Sequence, residues 1–207
     1  CGLGGSSIYL AKNFNAVVSG ITLSKVQAGM AYEKAQAARA KNVSFKVEDA
    51  LTMKSFGDES FDIVWSLESC EQFFDKALFV SQAKRVLKKN GTLMLATWCS
   101  ADDEYEGEAA KAYKKLCLAF DLPYMPSGNY YQRILTSSGL KIGKVLDLTR
   151  NVEKSWDIGI SLASAYSVIR ILRKTGLRGL IFSKQLKLMQ RAYRDKMLNY
   201  MVFICAK

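Results

Sequence analysis

The chain contains no histidine and only two prolines in 207 residues. Without histidine, proton transfer through an imidazole is excluded, and the commonest protein ligand of metals is missing. The five cysteines stand apart without a C-x-x-C pair, so the sequence predicts no metal site. Scattered cysteines with mostly apolar neighbours are typical of reduced thiols in an intracellular protein. The prolines, Pro123 and Pro126, lie too close together to mark a linker between domains.

No apolar run is long enough to span a bilayer, and the length predicts one α/β domain with its own core. The formal net charge is +11, and it is unevenly distributed. Residues 1–150 carry 19 basic and 16 acidic side chains, whereas residues 151–207 carry 11 and 3. A basic region of this kind favours nucleic acid, an anionic membrane surface or an acidic substrate, or it is only a solvated helix face.

The first segment is a glycine-rich turn, in which Gly2, Gly4 and Gly5 precede a helical pattern that ends near Phe14. Glycine allows close approach of a ligand to the backbone and angles closed to other residues. At a helix N-terminus such a turn offers free N–H groups, which is where nucleotide-like cofactors bind in open α/β sheets. A strand normally leads into this turn, so we expect the first central strand to be absent from the chain.

Helical and strand patterns alternate along the sequence. This alternation predicts a Rossmann-like, mostly parallel sheet with helices on both faces and an antiparallel last strand. The strand over 61–65 is expected to be buried because of its apolar run, with Trp65 in the core, and residues 88–91 are expected to end the third helix. Helices are predicted over 6–14, 24–40, 76–87, 109–120, 130–138, 155–174 and 180–196, and strands over 16–21, 43–47, 61–65, 92–98, 141–148 and 200–205.

Five motifs follow one another at regular spacing: CGLGGSS, GITLSKVQA, VEDA, FDIVWSLESCEQ and RVLKKNGTLMLATW. In this order the chain resembles class I S-adenosylmethionine-dependent methyltransferases, and more narrowly the gamma-tocopherol methyltransferase group, which includes plant alkaloid N-methyltransferases. The resemblance covers nearly the whole chain. It implies S-adenosyl-L-methionine as the cofactor and one methyltransferase domain over 1–207. Residues 1–100 would form the cofactor-binding half and 101–207 the substrate-binding half, with a helical cap over about 151–196.

The resemblance also implies which residues bind the cofactor. The methionine part would lie at Gly2, Gly4 and Gly5, and the adenosyl part would contact Thr22, Leu23 and Gln27. An alternative for Thr22 and its neighbour Ser24 is that they only cap the following helix.

Two further segments complete the implied cofactor site. Asp49 would accept a hydrogen bond from the adenine amino group, and Ala50 would supply a backbone N–H to the ring. A lone aspartate after a strand is otherwise a turn residue. Ser66 follows the strand over 61–65 at the carboxyl edge, beside the sulfonium and the substrate.

The loop after that strand departs from the tocopherol group, which usually reads E-S-G-E-H where this chain reads ESCEQ. Gln72 therefore stands where histidine is expected. Methyl transfer needs no protein nucleophile, but a phenol or quinol acceptor needs a base. Glu68 and Glu71 are the candidate bases, with Asp102 and Asp103 as further candidates outside the motif, and Gln72 is the candidate for orienting the acceptor. Alternatively, at least one of the two glutamates only holds the loop.

The acceptor is the least defined part of the predicted activity. We expect methyl transfer to a small or lipophilic acceptor, either a phenol or quinol, an amine or a related natural product. The alternatives are a degenerate, non-catalytic relative that serves as a binding module, and a sterol or lipid C-methyltransferase. Tyr124, Tyr130, Tyr131 and Trp156 lie where the family builds its acceptor pocket, or they are ordinary packing residues.

The segment 155–194 suits a cap whose basic stripe rests on an anionic membrane surface. Nucleic acid is disfavoured because no recognition motif accompanies the charge. We expect an intracellular, cytoplasmic location, with a plastid or the membrane periphery as alternatives because an N-terminal segment is expected to be absent.

Overall fold

The computed structural model describes residues 1–164 and 177–207, and the side chains of 163–183 lie outside this description. Helices α2, α3 and α5 each begin at a capping side chain, since Ser24, Asp75 and Ser127 accept an N–H from the first turn. The described helices are α1 Gly5–Phe14, α2 Lys25–Ala37, α3 Lys76–Val86, α4 Gly107–Ala119, α5 Gly128–Ser137, α6 Thr149–Ser164 and α7 Leu177–Arg194.

The strands of the described residues form two sheets. Strands β1 and β2 pair in parallel, and the second sheet has the order β3-β4-β6-β5, with β3 parallel to β4 and β6 antiparallel to both of its neighbours. The predicted α/β fold with an antiparallel last strand is confirmed, and among the described residues β1 and β3 do not pair with each other. The strands are β1 Val18–Thr22, β2 Val43–Val47, β3 Phe61–Leu67, β4 Leu87–Ser100, β5 Lys141–Asp147 and β6 Leu198–Ala206.

The apolar face of β3 is open, which corrects the prediction of a buried strand with Trp65 in the core. Ile63, Trp65 and Leu67 are 56%, 44% and 41% exposed. Successive side chains of a strand point to opposite faces, so these three share one face, while Ser66 points the other way and is buried. In the described part of the chain β3 pairs with β4 alone, and an apolar run could not reveal that one face stays uncovered.

Two boundaries differ most from the predicted ones. Residues 88–91 belong to β4 instead of ending a helix, because Leu87 already pairs with Phe61 across the sheet. Helix α6 begins at Thr149, before the predicted Ser155, because the Asp147 carboxylate accepts the Thr149 N–H and starts the turn. The predicted helical residues 165–174 lie outside the described residues.

Two apolar cores support the sheet of β3 to β6. One lies between that sheet and helices α3 and α5, and the other packs α4 and α7 beside the ends of β4 and β6. On α7, Leu186, Met189 and Tyr193 are buried on one side, and the predicted basic stripe is exposed. Within the described ranges, no helix combines the length and the apolar character that crossing a membrane requires. The exposed basic residues of α7 are Lys184, Lys187, Arg191 and Arg194.

Candidate functional site

The glycine turn wraps the start of α1 and depends on close packing at Gly4. This residue has φ +79°, and a Cβ added to it would lie 2.8 Å from Phe45 Cζ and 2.9 Å from Ala31 Cβ. No side chain caps α1, so its first N–H groups are left for a ligand or solvent. A Cβ at Gly2, with φ +51°, or at Gly5 would meet no atom within 4 Å. The turn is thus closed on the protein side and open on the other.

The segment after β1 is fixed by its own hydrogen bonds. The Thr22 hydroxyl donates to Gln27 Oε1 at 2.8 Å, and Ser24 Oγ accepts the Gln27 N–H at 3.2 Å. Capping by Ser24 is therefore confirmed, while Leu23 is 72% exposed. The role of Thr22, Leu23 and Gln27 toward the adenosyl part stays a prediction, and these bonds hold the segment in one shape.

Asp49 lies beside that segment at the carboxyl end of β2. Its Oδ1 accepts the Leu51 N–H at 2.8 Å, so the carboxylate stabilises the turn that follows. The Glu48 N–H donates to the Thr22 carbonyl at 3.1 Å, which brings the ends of β1 and β2 together. Ala50 is half-buried and packs against the first core. The structure thus groups Thr22, Asp49 and Ala50, while the contact with an adenine stays a prediction.

The ends of β3 and β4 form the other half of the candidate site. Ser66 is buried, and its hydroxyl lies 2.8 Å from that of Ser69. Glu68 directly follows β3 with φ +47°, a conformation unfavourable for a residue with a Cβ. Its Oε1 accepts the Tyr200 hydroxyl at 3.1 Å. Tyr200, from the antiparallel last strand, is a site residue that the sequence analysis missed, because nothing local to it signals the pairing.

Glu71 is almost fully buried in the short 3-10 turn Cys70–Gln72. Its Oε1 accepts the Thr97 hydroxyl and the main-chain N–H of Trp98, both at 2.8 Å, while Oε2 has no partner among the described residues. Burial raises the pKa of this carboxyl above its usual range. Glu71 therefore anchors the end of β4, and a role as base would use the remaining oxygen.

Gln72 is exposed and donates from Nε2 to the Phe120 carbonyl at 3.4 Å. Phe120 contacts Trp98, whose main-chain N–H donates to Glu71, so Gln72 and Glu71 border the same pair of aromatic residues. The predicted catalytic residues Glu68, Glu71 and Gln72 thus converge at the carboxyl ends of β3 and β4. Their contact with substrate stays a prediction.

The four aromatic residues that were predicted near an acceptor are not in one place. Trp156 packs against Trp98, with ring centroids 5.8 Å apart. Tyr131 is fully buried in the first core, and Tyr124 and Tyr130 pair with each other through their hydroxyls at 3.4 Å. Only Trp156 therefore joins the aromatic residues at the end of β4.

Replacing Glu71 with glutamine should raise the free energy of unfolding at neutral pH by about 1–3 kcal/mol, because a buried charge with one unpartnered oxygen is removed. The pKa of Glu71 in the folded protein lies above the ordinary 4.5. The carboxyl therefore stabilises the folded protein at pH values below 4.5, and this stabilisation is lost as the pH rises through the raised pKa. The free energy of unfolding is measured with urea between pH 4 and 8, roughly the range that brackets such a shift. The difference between Glu71→Gln and wild type should grow as the pH rises. Glu108→Gln, on an exposed carboxylate, should show no such trend. A difference between Glu71→Gln and wild type that stays constant with pH would contradict a raised pKa for Glu71.

Comparison with solved structures places this architecture among S-adenosylmethionine-dependent methyltransferases. Geranyl diphosphate methyltransferase in complex with SAM superposes over the whole chain and 75% of its own length, with a TM-score of 0.80 and 22% identity. The mycolic acid cyclopropane synthase CmaA1, complexed with SAH, gives a TM-score of 0.85 at 20% identity, over the whole chain and 75% of its length. At these identities the likeness defines the fold alone.

Sequence comparison identifies the family. Residues 1–139 match the family model Methyltransf_31, described as a methyltransferase domain, and the chain belongs to this family. It is 36% identical to the chloroplastic tocopherol O-methyltransferase of Arabidopsis thaliana, over the whole chain and 61% of that protein. Ajmaline N-methyltransferase of Rauvolfia serpentina is 27% identical, over the whole chain and 74% of that protein. The predicted membership of a methyltransferase family is confirmed, and the chain spans about three fifths of the curated tocopherol methyltransferases that it matches.

Proposed function

We propose that this protein transfers a methyl group from S-adenosyl-L-methionine to a small or lipophilic acceptor. The observation that carries the proposal is the turn at Gly2–Gly5, which is open on one side and lacks a helix cap. The amino group before it, at Cys1, donates to the Ile21 carbonyl at 2.6 Å, which brings the turn to the sheet edge of Thr22 and Asp49. The family membership and the cofactor named in the solved relatives support it.

The residues present fit the cofactor by their chemistry. The uncapped amides of α1 would bind its carboxylate, Thr22 and Gln27 its ribose side, and Asp49 and Ala50 its adenine edge. The bound cofactor would supply an electrophilic methyl group. In the protein, Ser66 and Glu68 would shape the edge where the acceptor enters, and desolvation there would favour charge neutralisation during transfer.

For a hydroxyl acceptor, the oxygen would form the new bond to the methyl carbon while the bond between carbon and sulfur breaks, which leaves S-adenosylhomocysteine. The acceptor proton would pass to a carboxylate, and Glu68 is the better placed because it is exposed whereas Glu71 is buried; in both residues Oε1 already accepts a hydrogen bond and Oε2 would take the proton. An amine acceptor would react through its neutral lone pair and need no base.

The names of the relatives support the proposed class of acceptor and a plastid location. Tocopherol O-methyltransferase and ajmaline N-methyltransferase are named for a lipophilic phenolic product and an alkaloid, and the two tocopherol enzymes are called chloroplastic, which favours a plastid. Peripheral membrane contact is supported by the exposed Ile158 and Leu162 on α6, next in the fold to the basic side of α7. Two of those basic residues are partly neutralised, as Arg191 pairs with Asp195 and Arg194 with Asp157.

Asp49→Asn should weaken binding of S-adenosylhomocysteine at least tenfold, roughly the 1.4 kcal/mol of one charged hydrogen bond. Its Oδ1 can still accept the Leu51 N–H, so the unfolding midpoint should stay near wild type, whereas Asp49→Ala should lose both the turn and the binding. Calorimetric titration of the full chain measures the affinity. Asp62→Asn, on an exposed carboxylate paired with Lys88 at the far end of β3, is the control. No heat from the wild-type chain would overturn the proposal.

A further inference from the structure

The backbone at Glu68 departs from the regular strand that leads into it. Side chains alternate between the two faces of β3, where Ser66 is buried on one face and Leu67 is exposed on the other. Continued alternation would return Glu68 to the buried face. Its φ of +47° lies in the left-handed region that disfavours a residue with a Cβ, and it ends the alternation. The Glu68 side chain is therefore exposed and not buried like that of Ser66.

Tyr200 lies on the same face of the sheet as Leu67. Leu67 is level with Ala96 in the parallel pair of β3 and β4. Two residues further along β4, Trp98 is level with Tyr200 of β6. Level residues in neighbouring strands share a face, as do residues two apart in one strand. The hydrogen bond from the Tyr200 hydroxyl to Glu68 Oε1, at 3.1 Å, therefore crosses over β4 from β6.

Tyr200 is held more firmly than the carboxylate to which it donates. It is only 5% exposed, its N–H donates to Thr149 Oγ1 at 2.9 Å, and its carbonyl accepts the Leu148 N–H at 2.9 Å. Burial raises the pKa of its hydroxyl, and the Glu68 carboxylate raises it further, so this hydroxyl keeps its proton and donates. In the part of the chain that the structure describes, this is the hydrogen bond that fixes the Glu68 side chain.

We propose that Tyr200 is a positioning residue that holds the Glu68 carboxylate with Oε2 free to take the acceptor proton, an inference that rests on the proposed methyl transfer. Residues with a strained backbone persist where the surrounding structure enforces them, and they cluster at functional sites. The acceptor hydroxyl gives its proton to Oε2 as its oxygen bonds the methyl carbon, and sulfur keeps the electron pair of the broken carbon–sulfur bond. Tyr200 acts on this step only through Glu68.

The test compares trimethylhydroquinone, whose hydroxyl must lose a proton, with N-methylbenzylamine, which reacts through its neutral lone pair. Transfer of a tritiated methyl group to each probe is measured on the full chain. Tyr200→Phe keeps the ring and removes the donor, so kcat for the quinol should fall by about 10- to 100-fold, part of the contribution of a general base. Transfer to the amine should change by less than about threefold. A purely structural role would lower both rates alike.

Two further variants test whether Tyr200 acts through Glu68. Glu68→Gln should slow the quinol reaction at least as much as Tyr200→Phe, and the double variant should be no slower than Glu68→Gln. Tyr105→Phe is the matched control, because it also loses a partly buried phenol hydroxyl, one that donates to the Met197 carbonyl at 2.7 Å. It should leave both rates unchanged. Equal losses for the two probes, or additive losses in the double variant, would overturn the positioning role.

The orientation of Glu68 can also be measured without an acceptor. In the full chain labelled with 13C-glutamate, NMR side-chain couplings should show one Glu68 rotamer in wild type and in Tyr105→Phe, and an average over several rotamers in Tyr200→Phe. Averaging in wild type, or a single rotamer in Tyr200→Phe, would refute the inference. Failure of wild type to methylate either probe would count against the proposed methyl transfer, while the rotamer comparison would still decide whether Tyr200 holds Glu68.

Discussion

Gly4→Ala should destabilise the protein by about 2–4 kcal/mol, the sum of a left-handed backbone with a Cβ and an overpacked contact. The Cβ would lie 2.8 Å from the Phe45 ring and 2.9 Å from the Ala31 methyl group, two atoms that hold α1 against β2 and α2. For a chain of this size the midpoint of thermal unfolding should fall by roughly 5–15 °C. Calorimetric thermal scans measure that shift.

Gly5→Ala separates stability from ligand binding at the same turn. A Cβ at Gly5 meets no atom within 4 Å, and alanine stabilises a helical position by about 0.5–1 kcal/mol relative to glycine. The added methyl group would occupy the open side of the turn, where the cofactor is proposed to bind. We therefore expect Gly5→Ala to raise the unfolding midpoint slightly and to weaken S-adenosylhomocysteine binding. Undiminished binding would show that the open side of the turn does not contact the cofactor.

The contrast between the two glycines was not available from the sequence. The pattern CGLGGSS predicts a turn because all three glycines tolerate the same backbone angles. Which of them is enclosed depends on Phe45 and Ala31, and these residues meet the turn only after β2 and α2 have packed. The sequence thus identifies the turn, and the tertiary contacts assign a structural role to Gly4 and an open position to Gly5.

Local signals were sufficient for most helices and strands but not for burial. Ser24 was recognisable as a cap because a capping side chain acts within three residues. Trp65 was predicted to be in the core because apolar strands are usually covered, yet its exposure depends on which elements lie over the face of β3. Periodicity predicts which side chains share a face of a strand, but it does not predict whether another element covers that face.

The candidate site likewise contains residues that local motifs predicted and residues that only the fold brings to it. Asp49, Glu68 and Gln72 stand in motifs whose order could be read along the chain. Tyr200 reaches the site from the last strand, far away in sequence. Trp98 was visible only as the end of an apolar strand. Long-range pairings of this kind leave no periodic trace, so the acceptor side of the site emerges only from the fold.

Lys76 has the second large expected effect, because it is a fully buried cation without a described carboxylate partner. Its Nζ donates to the Phe73 carbonyl at 2.7 Å and to the Glu71 carbonyl at 3.5 Å, and lies 3.8 Å from the centre of the Tyr124 ring. These contacts hold the turn that carries Glu71 and Gln72 against the loop before α5. Lys76 is therefore expected to position the turn without touching a ligand.

Lys76→Ala should cost about 3–5 kcal/mol, because it leaves a cavity and two carbonyls without a donor. Lys76→Met keeps the aliphatic stem and removes the buried charge, so it should cost only about 1–2 kcal/mol. Urea unfolding measures both. Lys84→Ala is the control, since Lys84 lies on the same helix and also donates to a carbonyl, that of Ser138, but it is only partly buried. It should cost less than about 1 kcal/mol.

The pH dependence distinguishes the charge of Lys76 from its packing. Burial lowers its pKa below the ordinary 10.5, so its contribution to stability is largest above that value and decreases as the pH falls through the lowered pKa. The advantage of wild type over Lys76→Met should therefore grow as the pH is raised toward the ordinary lysine pKa. A constant difference would assign the effect to packing alone. Because Glu71 is held through its carbonyl by Lys76 and through its carboxylate by the main-chain N–H of Trp98, Lys76→Ala should also loosen the turn that positions Glu71 and Gln72.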